Sequence, residues 1–111
     1  MNCLNQIILE GNVVRNPVMD GDSASVPIAV TRTFRASDGT FQDEESFFDI
    51  VGFGSLAGFM ETYATKGRGI RVAGRLKQVK YTDDDGKAHS RVVVLAEHID
   101  YKPLKKAEEE K

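Results

Sequence analysis

The chain has a single cysteine in 111 residues, Cys3, so it can build no internal disulfide framework. It suits a reducing cytoplasm, where Cys3 reads as an inert thiol. No apolar run approaches the ~20 residues that a membrane span requires. The N-terminus, MNCLNQIILEGN, lacks a basic region and meets Glu10 too early for a signal peptide. Histidine is scarce: His89 and His98 stand at a spacing that suits no common metal site, and one thiol cannot complete one. No nucleophile elbow is present, and Gly52-Phe53-Gly54 lacks the pattern of a phosphate-binding loop. Asp83 to Asp85, in DDDGK, read as a turn rather than a metal cluster. These gaps leave no enzyme activity, catalytic residue, metal or cofactor to expect. Excess positive charge is missing too: 15 Lys and Arg face 17 Asp and Glu, a formal net charge of -2, unlike a simple basic nucleic-acid binder.

The charges that are present fall unevenly. Acids cluster at Asp43-Glu44-Glu45, Asp83-Asp84-Asp85 and Glu108-Glu109-Glu110, which read as loops and a tail. The stretch Lys66 to Tyr81 (KGRGIRVAGRLKQVKY) carries six Lys or Arg and no acid. Just before it, ESFFDIVGFG supplies Phe47, Phe48 and Phe53. Aromatic rings beside local positive charge on strand-like sequence can hold unstacked bases and their phosphates.

The length allows one domain with a modest core. Residues 1–101 are read as that domain and 102–111 as a short charged, disordered tail. Strand-like segments run from Asn5 to Val14, Val26 to Phe34 and Ser46 to Phe53, separated by the turn formers Asn16-Pro17, Asp20-Gly21 and Asp38-Gly39. Leu56, Phe59, Met60 and Tyr63 then recur at i, i+3, i+4 and i+7, one face of a helix. Ser55 is its expected N-cap, Gly67 its stop, and Lys66 falls in its last turn. Ile70 to Tyr81 and Arg91 to Tyr101 complete the strands, joined by a hairpin turn at Asp85-Gly86. The expected fold class is all-β, a five-stranded OB-fold barrel with one α-helix between strands three and four. Glycines 11, 52, 54 and 74 supply the bends of a small closed sheet.

Side chains alternate across a strand, so parity assigns faces. Phe47, Asp49, Val51 and Phe53 share one face of the third strand, and Phe48 and Ile50 the other. In the fourth, Ile70, Val72 and Leu76 suit the core. Arg71, Arg75, Lys77, Val79 and Tyr81 then face solvent or ligand. Asp49, unfavourable beside phosphate, calls for a neighbouring cation.

NQIILEGNV with Asn16-Pro17, IAVTRTF, FFDIVGFG, Lys66-Gly67, IRVAGRL and KYTDDDGK, taken in order from about Asn5 to Ile99, resemble the bacterial single-stranded DNA-binding protein family. The resemblance implies an OB-fold homotetramer, or sometimes a dimer, that wraps single-stranded DNA without sequence preference. It implies base stacking on Phe34, Phe47, Phe53 and Tyr81, with phosphate contacts from Arg35, Lys66, Lys77 and Lys80; the exposed cations Arg71 and Arg75 join them by parity. It also implies that the first strand, through Leu4, Asn5, Gln6, Ile7, Ile8 and Leu9, pairs with its equivalent in a neighbouring chain.

The chain departs from the family in several places. It has no tryptophan, and Gln6 stands where a basic residue is common. Phe34 shares parity with Val26 and Ile28, so its stacking role needs a bulge or bend. Where the family continues into a flexible tail whose acidic, apolar tip recruits replication and repair proteins, this sequence reads KPLKKAEEEK, the expected mark of either a truncated chain or a tailless relative. The implied function is protection of single-stranded DNA in replication, recombination and repair in the cytoplasm, at the bacterial nucleoid. The alternatives are a tailless primosomal-type OB dimer linking proteins to DNA at replication restart, and an OB module for RNA, sugar or protein.

Overall fold

The computed structural model describes residues 2–103, and the expected charged tail lies outside them from residue 104 onward. The elements are β1 (Ile7–Val13), β2 (Val18–Asp20), β3 (Ser23–Arg35), β4 (Phe41–Phe53), α1 (Ser55–Tyr63), β5 (Gly69–Thr82) and β6 (Ala88–Tyr101). The sheet order is β1-β5-β6-β4-β3-β2, and a further β1–β3 pairing closes β1, β3, β4, β5 and β6 into a barrel. β4 and β6 run parallel, at Ile50↔Val94 and Val51↔Leu95, and every other pairing is antiparallel. This is the OB architecture expected from the order of elements, with β2 added as a three-residue edge. β2 is exposed throughout and carries no apolar alternation that would have announced it.

The core follows the alternation. Val26, Ile28, Ile50, Ile70, Val72 and Val94 point inward and are buried. Pro27 sits where β3 exchanges β2 for β1 as its neighbour. Its carbonyl accepts from the Val14 N–H (2.9 Å), so its own missing N–H falls at the handover, where no ladder bond is lost. Between Ala96 and Ile99, β6 carries one residue more than β5, a bulge opposite Ala73 and Gly74. Gly74 is needed there because a Cβ would collide with the Leu95 carbonyl oxygen.

Several expectations are corrected. Ser55 opens the helix rather than capping it; Gly54, at φ 63°, takes the cap position, a conformation that favours glycine. The helix ends at Ala64, whose N–H reaches the Met60 carbonyl, so Lys66 and Gly67 lie beyond the last turn. The buried helical stripe is Ala57, Met60 and Ala64, with Leu56 half-buried. Small Ala57 and Ala64 let the helix sit close on the barrel end, which rotates Phe59 and Tyr63 outward. Tyr63 leans on Tyr101 instead (5.6 Å between ring centroids).

The strands also outrun the barrel. β3 and β4 extend to Arg35 and Phe41 around a turn at 36–40, so Asp43-Glu44-Glu45 lie in a strand, not a loop. They have cross-strand partners: the Thr33 hydroxyl donates to Asp43 (2.7 Å), and Arg32 pairs with Glu44 (3.4 Å). Leu76 is exposed rather than core, because β1 ends opposite Gly74 and leaves β5 with β6 alone beside it, at the start of a second two-stranded arm. Asn5 lies before β1 and ties that arm down. It donates to the Leu76 carbonyl (2.9 Å) and accepts from the Leu76 N–H (3.0 Å).

Candidate nucleic-acid interface

Strands β4, β6 and β5 lie side by side, and their outward residues form one continuous face. β4 presents Phe47, Asp49, Val51 and Phe53, with Phe47 60% and Phe53 53% exposed. β6 contributes Arg91, Val93 and Leu95, which pair with Val79, Lys77 and Arg75 of β5. A groove of about 330 Å³ runs here, with Phe53 and Val51 on one wall and Lys77 and Val79 on the other. Val79 and Arg91 continue it into a second concavity that reaches Tyr81, 48% exposed. The structure therefore gathers Phe53, Lys77 and Tyr81, with Phe47 two residues along β4 from Asp49.

Asp49 has the cation it needs. Arg91 donates to it at 2.8 Å, bridging β6 to β4 in the middle of the face. At the far end the Tyr81 ring is stacked on His89 (5.2 Å, 23°), and His89 meets Asp83 at 2.6 Å. Asp83 also accepts from the N–H groups of Asp85 and Lys87, closing the turn that the DDDGK sequence anticipates. The His89 ring first, and then these backbone donors, hold the Asp83 carboxyl below its ordinary value of 3.8. One face of Tyr81 is thus backed by a fixed partner.

The residues matched over 4–101 fit the sequence profile of the Single-strand binding protein family. The chain belongs to that family. The single-stranded DNA-binding protein of Aquifex aeolicus is 32% identical over 101 residues, 86% of this chain and 68% of that protein. That of Thermotoga maritima is 34% identical, over 97% of this chain and 80% of the other. The chain spans 57% of the Helicobacter pylori relative, at 29% identity. In fold it is similar to the Plasmodium falciparum SSB solved in complex with ssDNA (TM-score 0.82, 19% identity, 93% of this chain and 98% of that one). It is also similar to a small single-stranded DNA-binding protein from Streptomyces coelicolor (TM-score 0.71, 25% identity, 92% and 96%).

Other anticipated residues of this family member lie elsewhere. Arg71 is on the outer face of β1 and β5, where both its Nε and Nη2 donate to Glu10 (3.2 and 3.1 Å). Lys102 grips the same carboxylate. Lys102 first and Arg71 second hold the Glu10 carboxyl below its ordinary 4.5. Arg75 faces Glu97 (3.5 Å) beside Asn2, Cys3 and Asn5. Lys80 is exposed and falls on the opposite parity of β5 from Tyr81. Lys66, in the loop after α1, has its N–H held by Asn16 (2.8 Å). The β3–β4 pairing contains no bulge, so Phe34 stays on the face of Val26 and Ile28, half-buried under the Arg32 guanidinium (5.0 Å). Sequence reasoning missed Arg91 and His89. Alternation along β6 does put Arg91 on one face with Val93 and Leu95, but the β6–β4 neighbourhood that gives this meaning is non-local.

Proposed function

We propose that the chain binds single-stranded DNA without regard to sequence and protects it during replication, recombination and repair in the cytoplasm. Bases stack on Phe47, Phe53 and Tyr81; Phe34, on the opposite face of the β3–β4 arm and covered by Arg32, has no place on that stacking track. Phosphates are held first by Lys77, in the groove, and then by Arg35, Lys66 and Lys80. Arg71 and Arg75 contribute least, since each is already satisfied by a carboxylate. The observation that carries this reading is the β4–β6–β5 face. Phe47, Phe53 and Tyr81 are all about half exposed on it, and Lys77 shares the groove of Phe53. Stacking is sequence-tolerant because every base offers a π-face.

Assembly as a homotetramer through the first strand belongs to the same proposal. β1 pairs with β5 along Ile7–Asn12, but with β3 only at Asn12 and Val13. Its second edge from Ile7 to Gly11 has no strand neighbour among the described residues. Ile8 and Leu4 are exposed beside it, and a like edge from a second chain would cover it. No helix among the described residues is long and apolar enough to cross a membrane.

The experiment is fluorescence anisotropy of labelled oligo-dT, with duplex DNA and single-stranded RNA of equal length as competitors. Preference for the DNA single strand supports the proposal; indifference among the three overturns it.

A further inference from the structure

The pairing of β3 with β4 runs through thirteen consecutive pairs, Ser23↔Phe53 to Arg35↔Phe41, without a bulge. Side-chain alternation is therefore unbroken along β4. Phe41, Phe47 and Phe53 share one face, each about 20 Å from the next at strand rise. Cross-strand contacts fix that face along its length. Arg91 meets Asp49 beside the barrel, Thr33 meets Asp43 midway, and the Arg35 guanidinium lies 5.8 Å from the Phe41 ring centroid at the tip. Phe41 is 72% exposed, more than Phe47 or Phe53, and takes no part in the core. Phe34, paired with Gln42, is on the other face.

Among the described residues Arg35 makes no ion pair, whereas its neighbour Arg32 is held by Glu44. A ring with a cation over one side offers its remaining surface to a base and the cation to that base's phosphate. We propose that the base-stacking surface continues past the barrel onto the β3–β4 arm, where Phe41 and Arg35 form a further subsite for one nucleotide. The inference rests on the reading that the β4–β6–β5 face binds single-stranded DNA, and extends that track outward. Asp43 and Glu45 lie on the same face between Phe41 and Phe47. Asp43 is engaged by Thr33, while Glu45 has no ion pair among the described residues. The nucleic-acid backbone must therefore rise away from the sheet between the two rings. This makes the tip a separate subsite, reached only by a strand long enough to span the gap.

The chain has no tryptophan, so single-tryptophan variants report stacking without background. Phe41→Trp and Phe47→Trp in the full chain are titrated with long oligo-dT, and their emission is read. Quenching of both is the expected result. Quenching at 47 with none at 41 under saturation overturns the subsite and leaves the main surface intact. Quenching at neither removes the stacking reading itself, and the subsite with it. Phe41→Ala and Phe41→Leu should each weaken binding of long oligo-dT about fivefold or more, leaving a short oligomer unaffected. Leucine keeps bulk on the hairpin but not the π-face, so wild-type binding by Phe41→Leu would reduce Phe41 to a hairpin-stabilising partner of Arg35 and overturn the proposal.

Discussion

Strand β5 runs through two surfaces that treat its cations differently. On the outer face toward β1, Arg71 is locked to Glu10, a carboxylate that Lys102 also holds, and Arg75 faces Glu97. Further along the same strand, on the same parity, Lys77 opens into a groove beside Phe53 with no ion pair among the described residues. In sequence all three are basic residues in one acid-free stretch. The fold separates them by what stands opposite. A cation already satisfied by a carboxylate gains little from a phosphate, whereas an unpaired cation beside an aromatic ring gains counterion release and a stacked base together.

The sharpest way to break this comparison is to remove rings from the groove side. Phe53→Ala and Tyr81→Ala should each cost ~1–3 kcal/mol of binding to oligo-dT, with no matching fall in melting temperature because both rings are half exposed. Next comes the contrast between cations. Lys77→Gln should flatten the log affinity against log salt slope by about 0.7, the value for one phosphate on a single strand. Arg71→Gln should leave the slope unchanged. Equal changes in both would mean that the ion pair to Glu10 does not set Arg71 apart. A smaller effect is expected at Asp49, whose carboxylate occupies Arg91 in the middle of the face. Asp49→Asn frees that guanidinium and should tighten binding a few-fold at low salt, in line with a surface pair worth roughly 0.2–1 kcal/mol.

The smallest effect concerns pH. Glu10 is held below its ordinary 4.5 by Lys102 and then Arg71, so its folded value lies under its unfolded one. The stability it lends is complete above the unfolded value and is lost as pH falls through the depressed one. Melting curves of Glu10→Gln should therefore differ slightly from wild type at neutral pH and converge with it in acid.

Much of the barrel is legible from local pattern, because alternation at Val26, Ile28, Ile50, Ile70 and Val72 encodes the inner faces directly. The lone helix is legible too, but not its orientation. Phe59 and Tyr63 fit the apolar spacing as well as Ala57 and Ala64 do, and only the closeness of the barrel end selects the small residues. The two arms are harder to see, since beyond the barrel neither face is buried and alternation loses its meaning. This is why Leu76 reads as core and Asp43 to Glu45 as loop. On the candidate site, parity alone places Phe47, Phe53, Lys77 and Tyr81 on outward faces. That β6 brings Arg91 between β4 and β5, and that Glu10 and Glu97 claim Arg71 and Arg75, depends on strand neighbours far apart in sequence.

The most direct test of the central claim is the affinity of the Phe47→Ala, Tyr81→Ala double variant for oligo-dT, measured beside the unaltered chain at one fixed salt concentration. If stacking on the β4–β6–β5 face holds the strand, the double variant should lose at least as much as either single change, with the fold retained. Wild-type affinity in a folded double variant would contradict it and place the DNA on another surface.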